Sequence, residues 1–317
     1  MPGIRLEFAQ FGDFDSFDIH RSTTSMTDIN NLPIPITTNL KSMFYVDDNV
    51  TQGVTYYYRV VVWRDGNKAV SDEVIVIAQQ GDQYWNYVSS LLHFNGANNS
   101  TSFIDQKSNT WSRVGTPIIS TEQSKFGGAS GRFSKNNYIS TSNMTGFLFG
   151  ATEDFTIEAW VYIPLNATVY QNLIPIICVG YQDISSAGGG WNLCISDTST
   201  ARIGLQHCKT NFTTQNADFS IDSSLTRNTW HHIEFGRSGT TTYGFFNGSL
   251  VGTTTDQNNV AFTSPNFSNV SIASGNNRSS MNYWHFDGFI DELRITKGVC
   301  RHTASFTPQT SEYPNGA

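Results

Sequence analysis

The chain has 317 residues, 14% of them charged and 13% aromatic, with a formal net charge of −7. That length suffices for two domains with sizeable cores, and an acidic balance without clustered Lys and Arg argues against the phosphate-neutralising surface of a nucleic-acid binder. No run approaches the length of a membrane span, and Met1-Pro2-Gly3-Ile4 lacks both the basic start and the apolar stretch of a secretory signal, so the expectation is synthesis in a cytoplasm without that export route.

In chain order, the first 80 residues read as a small all-β unit. Ser16 to Ser22 alternates like a strand, and Tyr56, Tyr58, Val60 and Val62 share one face of a strand from Thr55 to Trp63. Arg64-Asp65-Gly66-Asn67-Lys68 is a hairpin turn, because Asp-Gly supplies the positive φ angles of a tight turn. Val74 to Ala78 returns. Leu32-Pro33-Ile34-Pro35 is no central strand, since each proline removes a ladder donor. The polar stretch Gln79-Gln80-Gly81-Asp82-Gln83 marks a boundary, dividing the chain into domains 1–80 and 81–317.

Beyond it, strands are predicted at Leu91–Phe94, Phe155–Ile163, Leu173–Val179, Trp191–Ser196, Ile203–Cys208, Trp230–Phe235, Tyr243–Phe246, Val270–Ala273 and Phe289–Ile295. Phe155, Ile157, Ala159, Val161 and Ile163 point one way; Glu158 and Trp160 point the other. Many strands with turns between them and no sustained helical period imply one large antiparallel sandwich. Cys178, Cys194, Cys208 and Cys300 have neither the number of a disulfide scaffold nor CxxC zinc spacing, and read as thiols. Sequons such as Asn49-Val50-Thr51 reflect an Asn/Thr-rich composition.

Two resemblances follow. Phe17 to Thr24, Val46-Asp47, and Val50 to Val60 make the first unit similar to a fibronectin type III domain. Arg5 to Phe8 match that family's second strand, so its first strand is missing, and the expectation is that a neighbouring chain covers the open edge. Ser124-Lys125-Phe126-Gly127-Gly128-Ala129-Ser130, the stretch Asn228-Thr229-Trp230-His231-His232-Ile233 with its continuation to Phe246-Asn247-Gly248, and Phe286 to Val299 make the second unit resemble a laminin-G-like, concanavalin-A-like jelly roll of the kind found in bacteriophage tail proteins. Glu234 departs from that pattern, which has a small apolar residue there, and so either faces solvent or has a partner. The resemblance implies a virion tail protein, made in the bacterial host cytoplasm, contacting other tail proteins and, through the jelly roll, host-surface glycan. It also implies a homo-oligomer, with a trimer favoured by closed symmetry on a tail axis.

The site chemistry narrows this. A glycosidase needs two carboxylates flanking the scissile bond. The E-x-D-x-x-E strand motif of glucanases with this fold is absent, Asp154 and Glu158 read as a turn and a sheet surface, and Asp291-Glu292 is expected to point to opposite sides of a strand, as is His231-His232. No enzyme is expected. Glycan binding calls for exposed aromatic faces beside polar groups; the candidates are Tyr170, Tyr181, Trp191, Phe212, Tyr283 and Trp284, with Arg278 as a donor, and packing at sheet ends is the alternative for Trp191 and Trp284. Calcium, which wants six to eight oxygens, is considered at Asp105, Asp287 and Asp291, with turn capping as the plainer role; Asn95 stands where related sequences carry Asp. Three functions emerge: an adhesin, a purely architectural virion protein, and a depolymerase, the last disfavoured by the missing carboxylate pair.

Overall fold

The computed structural model describes residues 3–51, 53–78, 81–168, 174–180, 190–196, 201–208, 214–221, 225–255, 269–275 and 285–316. It divides into two compact units, Met1–Trp85 with Pro314–Ala317, and Asn86–Tyr313. Both are β-structures, and among the described residues no helix is long and apolar enough to cross a membrane.

In the first unit, β1 (Ile4–Glu7) pairs with β4 (Phe44–Asp47) as a two-stranded sheet. A second sheet joins β3 (Thr37–Leu40), β2 (Ser16–Ser22), β5 (Thr55–Arg64) and β6 (Asn67–Val70), with β7 (Val74–Ile77) also on β5. Their facing sides enclose Ile4, Leu6, Ile19, Tyr56 and Tyr58. The predicted Asp65-Gly66 turn is present, with φ of 51° and 77°. Among the described residues β1 has no partner besides β4.

The second unit is a sandwich of two antiparallel sheets. The eight-stranded sheet runs β10 (Ile118–Ser120), β11 (Ser130–Phe133), β22 (Gly288–Lys297), β13 (Phe155–Tyr162), β18 (Trp230–Ser238), β19 (Thr241–Phe246), β20 (Ser249–Thr254), with β8 (Val88–Leu92) also on β22. The seven-stranded sheet runs β17 (Thr214–Ser220), β16 (Arg202–Cys208), β15 (Trp191–Ser196), β14 (Ile174–Val179), β21 (Val270–Ile272), β12 (Tyr138–Thr141), β9 (Ser112–Val114).

Strand alternation makes the core. Phe155, Ile157, Ala159, Val161 and Ile163 enter it from β13 and the residue beyond, as their period of two predicts. Leu193 and Ile195 meet them from the other sheet. The Asn247-Gly248 turn between β19 and β20 has φ of 49° and 79°. Glycine is required there twice over, since a Cβ at Gly248 would collide with the Phe306 carbonyl oxygen.

The outer face of the eight-stranded sheet is also covered. After β22 the chain turns at Gly298 and residues 299–313 cross it. The crossing is pinned by Thr156 Oγ1 to Val299 O (2.9 Å), Arg301 N to Thr156 Oγ1 (2.9 Å), Phe306 N to Gly248 O (2.9 Å) and Leu250 N to Ser305 Oγ (3.0 Å). Glu158, read from sequence as a sheet-surface residue, is therefore only 1% exposed.

Candidate functional site

The covered face holds a dense set of charges. Glu158 on β13 and Glu234 on β18 lie directly opposite each other in register. Arg294 on β22 donates to Glu158 Oε1 through Nε at 2.9 Å, with Nη2 at 2.8 Å, and Arg301 lies 3.7 Å away. Tyr313 donates its hydroxyl to Glu158 Oε2 (2.6 Å) and sits 3.0 Å from His232 Nε2. Glu234, the departure from the family pattern, has its partner in His302, whose Nδ1 is 3.0 Å from both carboxylate oxygens.

Electrostatics separate the two glutamates. Burial pushes both upward. For Glu158 the Arg294 charge, the His232 hydrogen bond and Arg301 outweigh burial and hold it well below the usual carboxylate range. For Glu234 burial is reinforced by the Glu158 charge, and its pKa is raised to about 7. This is a close carboxylate pair that no spacing in the sequence signals, because it arises from strand register. Both glutamates are at most 1% exposed, and with residues 299–313 closed over them their carboxyls are shut off from solvent.

A second network adjoins β22. Asp291 and Glu292 were expected on opposite sides of the strand. Instead a β-bulge, with Glu292 at φ 49° and a register shift opposite Glu158/Trp160, leaves both outside the core while Ile290 and Leu293 enter it. Glu292 takes His93 Nδ1 at 2.6 Å and Tyr313 N at 2.7 Å. His231 and His232 do diverge: His231 stacks on Phe246 and bonds Thr226 O, whereas His232 faces Glu158 and Tyr313.

The calcium set does not assemble. Asp105 is a hydrogen-bond hub, accepting from Ser90 Oγ (2.6 Å), Lys107 N (2.7 Å), Asn109 Nδ2 (2.9 Å) and Trp111 Nε1 (3.1 Å). Asp287 is taken by Arg132 Nη1 (2.9 Å) and Thr168 N (3.0 Å). Asp291 Oδ2 accepts from Lys125 N and Phe126 N; its Oδ1 is buried with no partner among the described residues. Burial, and then the Glu292 charge, raise its pKa to about 8, which favours the neutral acid. One available oxygen is far from a calcium shell. Among the described residues two other groups bring potential ligand atoms within 4.8 Å, His93/Glu292/Glu312 and Glu158/His232/Glu234; the hydrogen bonds above engage the second, and in the first Glu292 is bonded to His93 and Glu312 to Asn95 Nδ2. Treatment with a chelator is expected to leave the melting temperature unchanged in a thermal scan; a fall that added calcium restores would contradict this.

Of the aromatic candidates, Trp191 is corrected. It is fully buried, stacked on Phe149 (centroids 5.6 Å apart), and donates Nε1 to Phe147 O at 2.8 Å. It presents no face to a ligand. Tyr170, Tyr181, Phe212, Arg278, Tyr283 and Trp284 lie outside the described residues.

An open cleft appears instead at the β9/β12 end of the seven-stranded sheet. A depression of 480 Å³ lined by Ser108, Thr110, Ser112, Ser140, Thr141 and Asn143 adjoins one of 510 Å³ that reaches Ile104 and Trp111. Asp105 fixes the floor: its hydrogen bonds hold Trp111 and Asn109, and Asn109 Oδ1 accepts from Asn143 Nδ2 at 3.0 Å. Among the described residues no Lys or Arg lines either depression. The sequence reading missed this cleft because isolated Ser and Thr carry no signal in a chain rich in both.

Two antiparallel sheets closing on one apolar core define a β-sandwich of jelly-roll type. A family model described as the concanavalin A-like lectin/glucanases superfamily (Laminin_G_3) matches residues 133–303, more than half of the sequence, and the chain belongs to that superfamily. A comparison with curated proteins found no match. Solved structures similar in fold include the binding domain of Paraclostridial Mosquitocidal Protein 1, with 14% identity, 69% of this chain and 51% of that one covered, and a TM-score of 0.49. Others are domain 4 of AbnA, a GH43 extracellular arabinanase from Geobacillus stearothermophilus, in complex with arabinotriose (14%, 67% and 93%, 0.46), and the enzymatically active domain of tailspike protein 2 of bacteriophage CBA120 (16%, 63% and 29%, 0.39). The chain thus spans about half the length of the first of these and under a third of the tailspike domain.

Proposed function

We propose that this protein is a non-enzymatic adhesin of a bacteriophage tail, binding host-surface glycan through the jelly roll. The observation that carries the binding reading is the accessible cleft lined by hydroxyls and amides, set against a carboxylate pair sealed from solvent. A hydroxyl-lined cleft suits a sugar, whose own hydroxyls both donate and accept. A sealed pair supports no depolymerase, which needs its two carboxyls on either side of the bond to be cut. The tail assignment rests on the motifs Ser124 to Ser130, Asn228 to Ile233 and Phe286 to Val299. In this reading the amino-terminal unit is a fibronectin type III-like docking module. The open edge of β1 takes a strand from a neighbouring tail protein, and the assembly is a trimer residing in the virion after synthesis in the host cytoplasm.

A glycan array probed with the full chain, followed by adsorption to host cells, tests this. Thr110→Trp, at an exposed cleft position, is expected to lower glycan affinity at least about tenfold by filling the cleft, with the melting temperature retained. Absence of binding to every glycan and host would favour a purely architectural role. Release of reducing ends from a bound polysaccharide would overturn the non-enzymatic assignment.

A further inference from the structure

The segment 299–313 does more than cover a sheet. It supplies three of the groups that face the buried carboxylates: Arg301 and Tyr313 to Glu158, and His302 to Glu234. A fourth contact, Tyr313 N to Glu292, ties down its far end. His302 also stacks on Phe306 with centroids 3.6 Å apart, and Phe306 meets Phe245 and His232 edge-on. The closed segment therefore keeps two carboxyls, opposed in register, away from water. One of them, Glu158, has an arginine partner from the sheet itself, whereas the hydrogen-bond partner of Glu234 is His302 of the segment.

We propose that residues 299–313 form a pH-sensitive strap, held shut at mildly acid pH while Glu234 carries a proton and loosened towards neutral pH as Glu234 ionises. The groups facing Glu234 are Glu158 from β13, Arg294 from β22, His232 beside it on β18, and Cys300, His302 and Tyr313 from the strap. Arg294 bonds Glu158 and its charge offsets only part of the rise at Glu234, and the Cys300 thiol, raised to about 12 by burial and then by the Glu234 charge, adds no positive charge. Opening the strap rehydrates both carboxyls and lets Glu234 ionise beside the already ionised Glu158.

The sign follows from proton linkage. With the strap closed Glu234 titrates at about 7; opened to water it returns towards its ordinary value of 4.5. Between those values the closed form binds more protons than the open one. Closure is then fully favoured below the lower value and is lost as pH rises through the window, with the open population increasing up to about tenfold per pH unit and levelling above it. Glu292, pushed up by burial despite His93, acts in the same direction at the strap's far end.

The test is hydrogen exchange of segment 299–313 in the full chain between pH 5 and 9, for the unaltered protein and for Glu234→Gln. Taking the ratio of the two rates at each pH cancels the chemical pH dependence of exchange. The neutral amide keeps the shape and a hydrogen bond to His302 but cannot ionise. The ratio is expected to climb up to about tenfold per unit from pH 5 to about 7 and then flatten. A ratio that stays flat from pH 5 to 7 overturns the proposal. If Glu234→Gln does not fold, exchange of the strap is divided by exchange of the β13 and β18 amides of the unaltered protein; a quotient rising over the same window supports the strap, and a constant one rejects it.

Discussion

Arg294→Met is expected to destabilise the second unit by about 3–5 kcal/mol, the usual cost of leaving a buried charge without its partner. Glu158 is 1% exposed and accepts two contacts from this guanidinium, at 2.9 and 2.8 Å. Arg294 also lies over the Tyr313 ring at 3.5 Å, so its loss removes packing as well as charge. Arg301, at 3.7 Å, is placed to compensate only in part. Urea unfolding checks the prediction. The informative control is Glu158→Met combined with Arg294→Met, which removes both charges and is expected to cost less than the sum of the single changes, because no orphaned ion is left. If the single variant lost no more than the ordinary surface range of about 0.5 kcal/mol, Glu158 would have to be reached by solvent or held by other donors.

Trp191→Ala is expected to cost about 3–5 kcal/mol, through lost apolar burial and the cavity left behind. The indole fills space against Phe149 and satisfies the Phe147 carbonyl. Trp191→Phe keeps most of the packing but orphans that carbonyl, and is expected to cost about 1–3 kcal/mol. Both are read from urea midpoints. Affinity for glycan, normalised to folded protein, is expected to be unchanged in the Phe variant; a selective loss of affinity with stability intact would return Trp191 to the ligand site.

Trp191 also shows why part of the site escaped sequence reading. Gly188-Gly189-Gly190 before it suggests a loop, and a tryptophan beside a loop suits a sugar platform. Position along the chain does not say which sheet face the indole takes. Here it points between the sheets, because Trp191 begins a strand in which Leu193 and Ile195 are also core residues. Glu158 erred in the other direction. Its alternation out of the core was read correctly, and outward was taken to mean solvent, whereas a segment more than 140 residues later covers it.

What the sequence determined by itself was local. The bounds of β2 and β15 match their alternating runs, β13 matches to within one residue, and Asp65-Gly66 and Asn247-Gly248 turn where positive φ is cheap. Side-chain period and turn chemistry act between neighbours and are legible one window at a time. The polar strand β17, of sequence TQNADFS and last in its sheet among the described residues, carries no such period and is not legible in the sequence. Only the tertiary structure decided how strands lie beside one another. Antiparallel register sets Glu158 against Glu234, the bulge at Glu292 turns two adjacent carboxyls outward together, and residues 299–313 close over Glu158, Glu234 and Glu292. The physical reason is that a carboxyl's charge state depends on burial and on partners within a few ångströms, and here those partners come from strands and a terminal segment far apart in the chain.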